Sequence, residues 1–435
     1  MNEYVLGLAA CVVLIVFLMT GIEIAFGIAI VGVVGLIIIS GFHVAFNMCV
    51  QDFYDTLGSY SLTVIPLFML MGQIAFHAGI AQRLYDAAYK LIGRVPGGLA
   101  MATVFAATMF KAMCGSTFAT SATFSSVAIP QMTRYNYSKK LSTGVVASVG
   151  TIGMLIPPSI SMIIYGIITE QSIGRLFLAG IIPGIMIAGL FVCVIYVWCK
   201  INPALGPAST EVFTVKQKLR SLPEFISVVV IFAVVIGGLM AGLFTPTEAG
   251  TIGTLAILIL AAVRKSLSFK IFAASVDESL RSAMMILVII ACSAVLGHFL
   301  AITQIPQIAG DWLTTLPLPR VVVMIILFCF YLLGGSFIDD MAFVILITPI
   351  LFPAVVKLGY DPIWFGVMVG ITLMVGVIIP PVAVSVFIVK NVTGESFGTI
   401  YSGVVPFLCS FVVMGALLFI FPGLATWLPN LLMGS

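Results

Sequence analysis

Charge is what this sequence has least of. Only 8% of its 435 residues are Asp, Glu, Lys or Arg, while 61% are hydrophobic. At a mean hydropathy of +1.25, a water-soluble domain of this length could not bury its apolar residues, because its surface is too large for its volume. CxxC and His-paired spacings are also missing. The eight cysteines (11, 49, 114, 193, 199, 292, 329 and 409) mostly lie within apolar runs. They therefore read as small core residues rather than metal ligands or a disulfide framework. No GxxxxGK[ST] loop occurs, which excludes ATP hydrolysis by that route. The opening Met-Asn-Glu lacks a basic n-region, and 4–20 ends without a small-residue cleavage site, so this segment reads as a span rather than a signal peptide. The net charge of +3 reflects basic residues beside apolar runs and gives no indication of nucleic acid as a partner.

What the sequence has in abundance is apolar runs of about 20 residues, the length of a bilayer-crossing helix and too long for barrel strands. The fold class expected is an all-α integral membrane protein. Ten spans are read near 4–20, 24–40, 63–79, 140–168, 174–199, 224–243, 246–264, 283–301, 363–389 and 398–426. Two longer blocks, 97–132 and 319–355, have polar centres at Cys114-Gly115-Ser116-Thr117 and Gly334-Gly335-Ser336. Splitting each block there leaves two arms of roughly 17 residues, short for full crossings and suited to a re-entrant helical hairpin.

One motif occurs twice. Gly153-Met-Leu-Ile-Pro157-Pro158 returns in the second half as Gly376-Val-Ile-Ile-Pro380-Pro381, each copy inside an apolar segment. The tip serines correspond too, since Ser116 and Ser336 are separated by nearly the interval that separates Gly153 from Gly376. Glycine and a double proline break a helix, and the freed carbonyls find no water in hydrocarbon. Paired breaks in two halves of a chain point to the substrate and ion site of a secondary transporter. Basic clusters at Arg83/Lys90/Arg94, Arg134/Lys139/Lys140, Lys200/Lys216/Lys218/Arg220 and Arg264/Lys265/Lys270 belong in the cytoplasm by the positive-inside rule. That puts the N-terminus in the periplasm, opens block 97–132 to the cytoplasm and opens block 319–355 to the outside, an inverted repeat. The organisation expected is scaffold helices in 1–62, a first transport repeat in 63–200, scaffold helices and a cytoplasmic loop in 201–270, and a second repeat in 271–435. Amphipathic stretches 81–90 and 304–312 precede the hairpins and suit helices lying in the interface.

The polar residues gather at tips and breaks. The first repeat offers Gly115, Ser116, Thr117, Ser148, Thr151, Gly153 and Ser159; the second offers Gly335, Ser336, Asp339, Asp340, Thr372 and Gly376. Hydroxyls and unwound carbonyls suit a small hard cation, and half-helix N-termini suit an anion. An acid at membrane depth is functional by default, but Asp339 or Asp340 could equally cap the returning hairpin helix. Lys111 stands four residues before Gly115. It could face an anionic substrate, pair with Asp339 or Asp340, or snorkel to the surface. His43, His77 and His298 are scattered singly, which favours packed or interfacial roles over a proton relay.

The chain resembles the large membrane subunit of TRAP (tripartite ATP-independent periplasmic) transporters. The resemblance rests on Ile65-Pro-Leu-Phe68, Gly97-Gly-Leu-Ala100, Gly115-Ser116, Thr151-Ile-Gly153 with Ile156-Pro-Pro-Ser159, Phe244-Thr-Pro-Thr-Glu-Ala249, Thr348-Pro-Ile350 and Gly376 with Pro380-Pro-Val382, in that order. It implies a sodium-driven, elevator-type importer of small organic anions in the bacterial inner membrane. The implied partners are a small four-helix membrane subunit and a periplasmic substrate-binding protein, with Na+ as coupling ion and no other cofactor. It also implies sodium sites at Gly115, Ser116, Ser148, Thr151 and Gly153, and at Gly335, Ser336, Asp339, Thr372 and Gly376. Candidate substrate contacts are Ser116, Thr117, Ser159, Ser336 and Lys111. The family usually has Thr before the second Pro-Pro, Gly after the following Val, Asn at Thr372 and a small residue at Lys111; this chain has Ile379, Ala383, Thr372 and Lys111 there. The alternative is a stand-alone ion/carboxylate symporter of the same architecture. An intramembrane enzyme is disfavoured, because no nucleophile–His pairing or second Asp-rich motif accompanies Asp339-Asp340.

Overall fold

The computed structural model describes residues 3–20, 22–209, 211 and 213–434. Met1 and Asn2, placed in the periplasm by the charge pattern, lie outside the described residues. The helices in chain order are α1 (Glu3–Met19), α2 (Ile24–Ser40), α3 (Phe42–Leu57), α4 (Val64–His77), α5 (Ile80–Ile92), α6 (Gly98–Cys114), α7 (Thr117–Arg134), α8 (Lys139–Val149), α9 (Ile160–Ile168), α10 (Ile173–Ile201), α11 (Val215–Met240), α12 (Pro246–Val263), α13 (Phe269–Ile302), α14 (Ile305–Thr315), α15 (Arg320–Phe337), α16 (Asp340–Lys357), α17 (Pro362–Gly376), α18 (Val384–Thr393), α19 (Phe397–Ile420) and α20 (Gly423–Met433). Among the described residues there is no strand.

Local chemistry sets the helix starts. Thr245 and Glu248 form a reciprocal capping box, with Pro246 at the first helical position of α12, where its missing N–H costs nothing. Thr214 and Gln217 do the same for α11, and the Asp361 carboxylate accepts from the N–H groups of Ile363 and Trp364 at the start of α17. Close helix approach relies on glycine. A methyl added to Gly144 on α8 would overlap the backbone of Gly403 on α19, and one on Gly180 of α10 would overlap the Leu155 carbonyl. Van der Waals packing of small residues of this kind replaces the hydrophobic drive that lipid removes.

Several expectations need correction. Among the described residues eight helices are long and apolar enough to cross a membrane, and six of them coincide with expected spans. The other two are α15 and α16, the arms of the second hairpin, which at 18 residues each are longer than expected, while 4–20 and 24–40 form shorter apolar helices. Segments 140–168 and 363–389 are each two short helices around a break, since the Pro-Pro pair that follows each glycine at an interval of three residues interrupts the hydrogen-bond ladder. Segment 398–426 stops at Ile420, because Phe421-Pro422-Gly423 cannot continue α19. The stretch 41–62 holds a further amphipathic helix, α3, whose polar residues hid it from a hydropathy reading. Cysteines 193, 329 and 409 are exposed on the outer surface rather than buried in the core. The amphipathic stretches do form helices, α5 and α14. On α5 one face of Ile80, Leu84, Tyr85 and Ala88 is buried.

The two repeats pack by exchange. In the first, the α6–α7 hairpin is followed by the broken pair α8–α9; in the second, the α15–α16 hairpin is followed by the broken pair α17–α18. Helix α9 packs on α16, and α18 packs on α7, so the second half of each broken helix lies against the other repeat's hairpin. With the α8–α9 pair counted as one traverse, the chain makes five between the hairpins: α8–α9, α10, α11, α12 and α13. An odd number is what the expected inverted repeat, with hairpins opening to opposite sides, requires.

Candidate functional site

The first tip is built by two residues. Gly115 takes a left-handed conformation (φ +62°) that an L side chain adopts only with strain, and its N–H donates to the Lys111 carbonyl at 3.2 Å, ending α6. Ser116 then runs extended and its Oγ accepts from the Ala119 N–H at 3.3 Å, starting α7. The first break lies directly against this tip: a methyl on Gly115 would stand 2.7 Å from the Pro158 carbonyl oxygen. Within the break, Ile152–Met154 form a 3-10 turn, and the Ser159 hydroxyl donates to the Met154 carbonyl at 2.7 Å while capping α9. Thr151 Oγ1 donates to the Ser148 carbonyl at 2.9 Å. Ser148 Oγ is buried without a hydrogen-bond partner, a costly state for a hydroxyl unless something else supplies the contact.

The second tip differs from the expectation. Gly334, Gly335 and Ser336 do not form the turn; they belong to the end of α15, and Ser336 Oγ donates back to the Leu333 carbonyl at 2.7 Å. The chain turns at Ile338 and Asp339, where the Asp339 carboxylate accepts from the Ala342 N–H at 3.2 Å and caps α16. The capping alternative therefore describes what Asp339 does. The corrected register also unites the repeats, because the interval from Ser116 to Asp339 is the same as that from Gly153 to Gly376 in the breaks. Applying the break offset to the tips would have found it; the glycine-serine composition was a stronger but misleading signal.

Here too tip and break touch. The Val382 N–H donates to the Ser336 carbonyl at 3.1 Å, and Gly376 faces the backbone of Gly335 and Ser336. Thr372 Oγ1 is satisfied by the Val369 carbonyl at 2.8 Å. The breaks are unequal in setting: Pro157 and Pro158 are buried, whereas Pro380, Pro381 and Val382 are exposed.

Composition did not single out two residues that join the repeats. Ser385 on α18 donates to the Ala147 carbonyl on α8 at 2.7 Å and bonds Ser121 Oγ on α7 at 2.9 Å. The run Thr117-Phe-Ala-Thr120-Ser121-Ala-Thr123-Phe-Ser125-Ser126, unusually rich in hydroxyls for a buried helix, was the available signal. Lys111 does not snorkel: it is 0% exposed and runs along Gly153, with Nζ 3.5 Å from Thr117 Oγ1. His77 meets Glu278 at 3.1 Å and His298 meets Asp52 at 2.8 Å, pairing α4 and α3 with α13 at a distance from tips and breaks in the sequence.

Comparison with known proteins places this arrangement. Residues 11–424 match the family model "Tripartite ATP-independent periplasmic transporter, DctM component". The C4-dicarboxylate TRAP transporter large permease protein DctM of Pseudomonas aeruginosa is 33% identical over 382 residues, covering 87% of this chain and 88% of that protein. The sialic acid TRAP transporter large permease protein SiaM of Vibrio cholerae is 29% identical, covering 96% and 97%. Among solved structures, the Alcanivorax borkumensis YdaH transporter superposes with a TM-score of 0.65 over 89% of this chain and 90% of that one, at 15% identity; this likeness concerns the fold alone. The relatives are permeases rather than enzymes, as the sequence reading holds for this chain. With the match running from Cys11 to Leu424 and taking in both hairpins and both breaks, the chain belongs to the DctM component family of tripartite ATP-independent periplasmic transporters.

Proposed function

We propose that the chain imports a small organic anion by sodium-coupled elevator motion, receiving it from a periplasmic binding protein and assembling with a small four-helix membrane subunit in the bacterial inner membrane. The observation that carries this reading is the exchanged packing of the two hairpin–break modules, a body whose parts hold one another and can move together. In this reading α4–α10 and α13–α20 contribute the moving body, and α1–α3 with α11–α12 the scaffold. An apolar cavity of about 100 Å³, lined by Thr108, Ala112, Ile156, Val228 and Phe232 among others, lies along the α6–α11 seam where such a body would slide.

The two tips are suited to different charges. The N-terminus of α7, with Ser116 and Thr117 half-exposed and the Lys111 charge beneath, favours a carboxylate. The N-terminus of α16 carries Asp339 and Asp340 and favours a cation. Each module offers oxygen ligands: Gly115, Ser116, Ser148, Thr151 and Gly153 in one, and Gly335, Ser336, Asp339, Thr372 and Gly376 in the other. Ser159 and Ser336, both bonded to nearby carbonyls, act by shaping the break and tip around the substrate. The chain, its membrane partner and its binding protein reconstituted in liposomes should take up a dicarboxylate or sugar acid faster under an inward sodium gradient. Equal uptake with and without that gradient would refute sodium coupling.

A further inference from the structure

The transport reading uses Lys111 only as a positive charge beneath the first tip, and its placement is more specific than that. It sits one turn before the first tip, fully buried, and its stem and ammonium occupy the space that any side chain at residue 153 would need: a methyl on Gly153 would overlap Lys111 from Cδ to Nζ. The ammonium therefore lies in the first tip–break module itself, against the glycine that opens the break. Its hydrogen-bond partner is the Thr117 hydroxyl at 3.5 Å, a long contact for a full positive charge. The titratable groups that act on it are Cys114 on its own helix and Asp340 at the start of α16 in the other repeat. Neither a carboxylate nor any other acid stands within ion-pair distance of it among the described residues.

A buried ammonium in such surroundings depends on neutral oxygens. Its one oxygen partner is the Thr117 hydroxyl, while the break beside it, met at Gly153, holds unwound backbone and a fully buried Ser148 hydroxyl that has no partner. These are the same ligand types that a sodium ion takes from a broken helix. Two monovalent cations close together in a low-dielectric module repel strongly, so the ammonium and a sodium ion exclude each other there. The second module has no such tethered charge. At the break-to-break offset, the position equivalent to Lys111 is Gly334, which leaves that module's oxygens free for an ion from solution.

We infer that the Lys111 ammonium is a built-in cation filling the first module's ion site, so that this chain binds sodium at the second module only. This deepens the sodium reading above and rests on it. The test is equilibrium binding of radioactive sodium to the purified full-length chain, which needs no knowledge of the substrate. Lys111→Ala removes both charge and stem and should bind one more sodium ion per chain than the wild type, while Lys111→Arg, which keeps a cation, should bind the wild-type number. If the cavity left by alanine prevents folding, Lys111→Gln provides the neutral variant, with the same gain expected. Equal, non-zero sodium binding by the wild type and the folded neutral variant would overturn the inference while leaving sodium coupling intact. No sodium binding by either would overturn both.

Discussion

Gly376→Ala tests the tip-to-break contact of the second module directly. An alanine Cβ there would stand 2.8 Å from the Gly335 carbonyl carbon, 3.0 Å from its oxygen and 3.2 Å from the Ser336 nitrogen. Carbon–carbon contacts are comfortable at about 3.5–4.0 Å, and all three neighbours are backbone, which has no rotamer to change. The tip must retreat from the break by several tenths of an ångström or more. Overpacking of this kind costs about 1–3 kcal/mol, equivalent to about a 5- to 150-fold shift of a local opening equilibrium. Gly370, on the same helix, is the control. Its added methyl would meet Leu155 Cδ2 and Met162 Cε, both at 3.0 Å, the ends of flexible side chains that can turn aside, while the helix interior gains about 1 kcal/mol from alanine. Hydrogen–deuterium exchange at the Val382 amide reads the contact, since that N–H donates to the Ser336 carbonyl. Its protection should fall in Gly376→Ala and hold in Gly370→Ala. Unchanged protection in Gly376→Ala, or equal loss in both variants, would refute the reasoning.

Further consequences can be measured in the same purified protein. Ser116→Ala removes the α7 cap and should cost about 1 kcal/mol, seen as faster exchange at the Ala119 amide. Ser116→Asp should preserve protection, because Asp339 performs the equivalent task in the other repeat; loss in both variants would contradict a capping role. The Glu211 carboxylate accepts from Tyr135 at 2.6 Å and Tyr89 at 3.2 Å, holding the loop after α10 against the foot of the first hairpin. A double-mutant cycle of Tyr135→Phe and Glu211→Gln should therefore give a coupling of about 0.5–1.5 kcal/mol in thermal denaturation, and strict additivity would rule the tether out. Burial, and then Glu211, push the Tyr135 hydroxyl above its usual pKa, so this contribution should be complete from neutral pH up to about pH 10 and be lost as pH rises through the folded-state value; a loss already present at neutral pH would contradict that direction.

The second tip shows why part of the site was hidden in the sequence. Gly334-Gly335-Ser336 reads as a turn because glycine and serine favour turns, yet a helix in a packed membrane body tolerates glycine where a neighbour approaches closely, and here Gly376 does. The turn went to Ile338-Asp339, where a carboxylate could satisfy the first amides of α16. Lys111 was equally ambiguous. A lysine four residues from a tip can reach the surface or turn inward, and only the space over Gly153 decided between the two.

Read alone, the amino-acid sequence is enough to establish a helical membrane protein with two Pro-Pro breaks, each preceded by a glycine, and two hairpins. Hydrocarbon leaves an apolar chain few ways to satisfy its backbone, and the same interruption recurs at a fixed offset. The chain also carries enough of the family's motifs to stand among the DctM components. Which residues meet was settled only by packing in three dimensions: Ser336 with Val382, Ser121 with Ser385, Lys111 with Gly153. Those pairings join segments far apart in the chain, or depend on which way a flexible side chain turns. Composition and spacing cannot specify them, whereas close packing admits one arrangement.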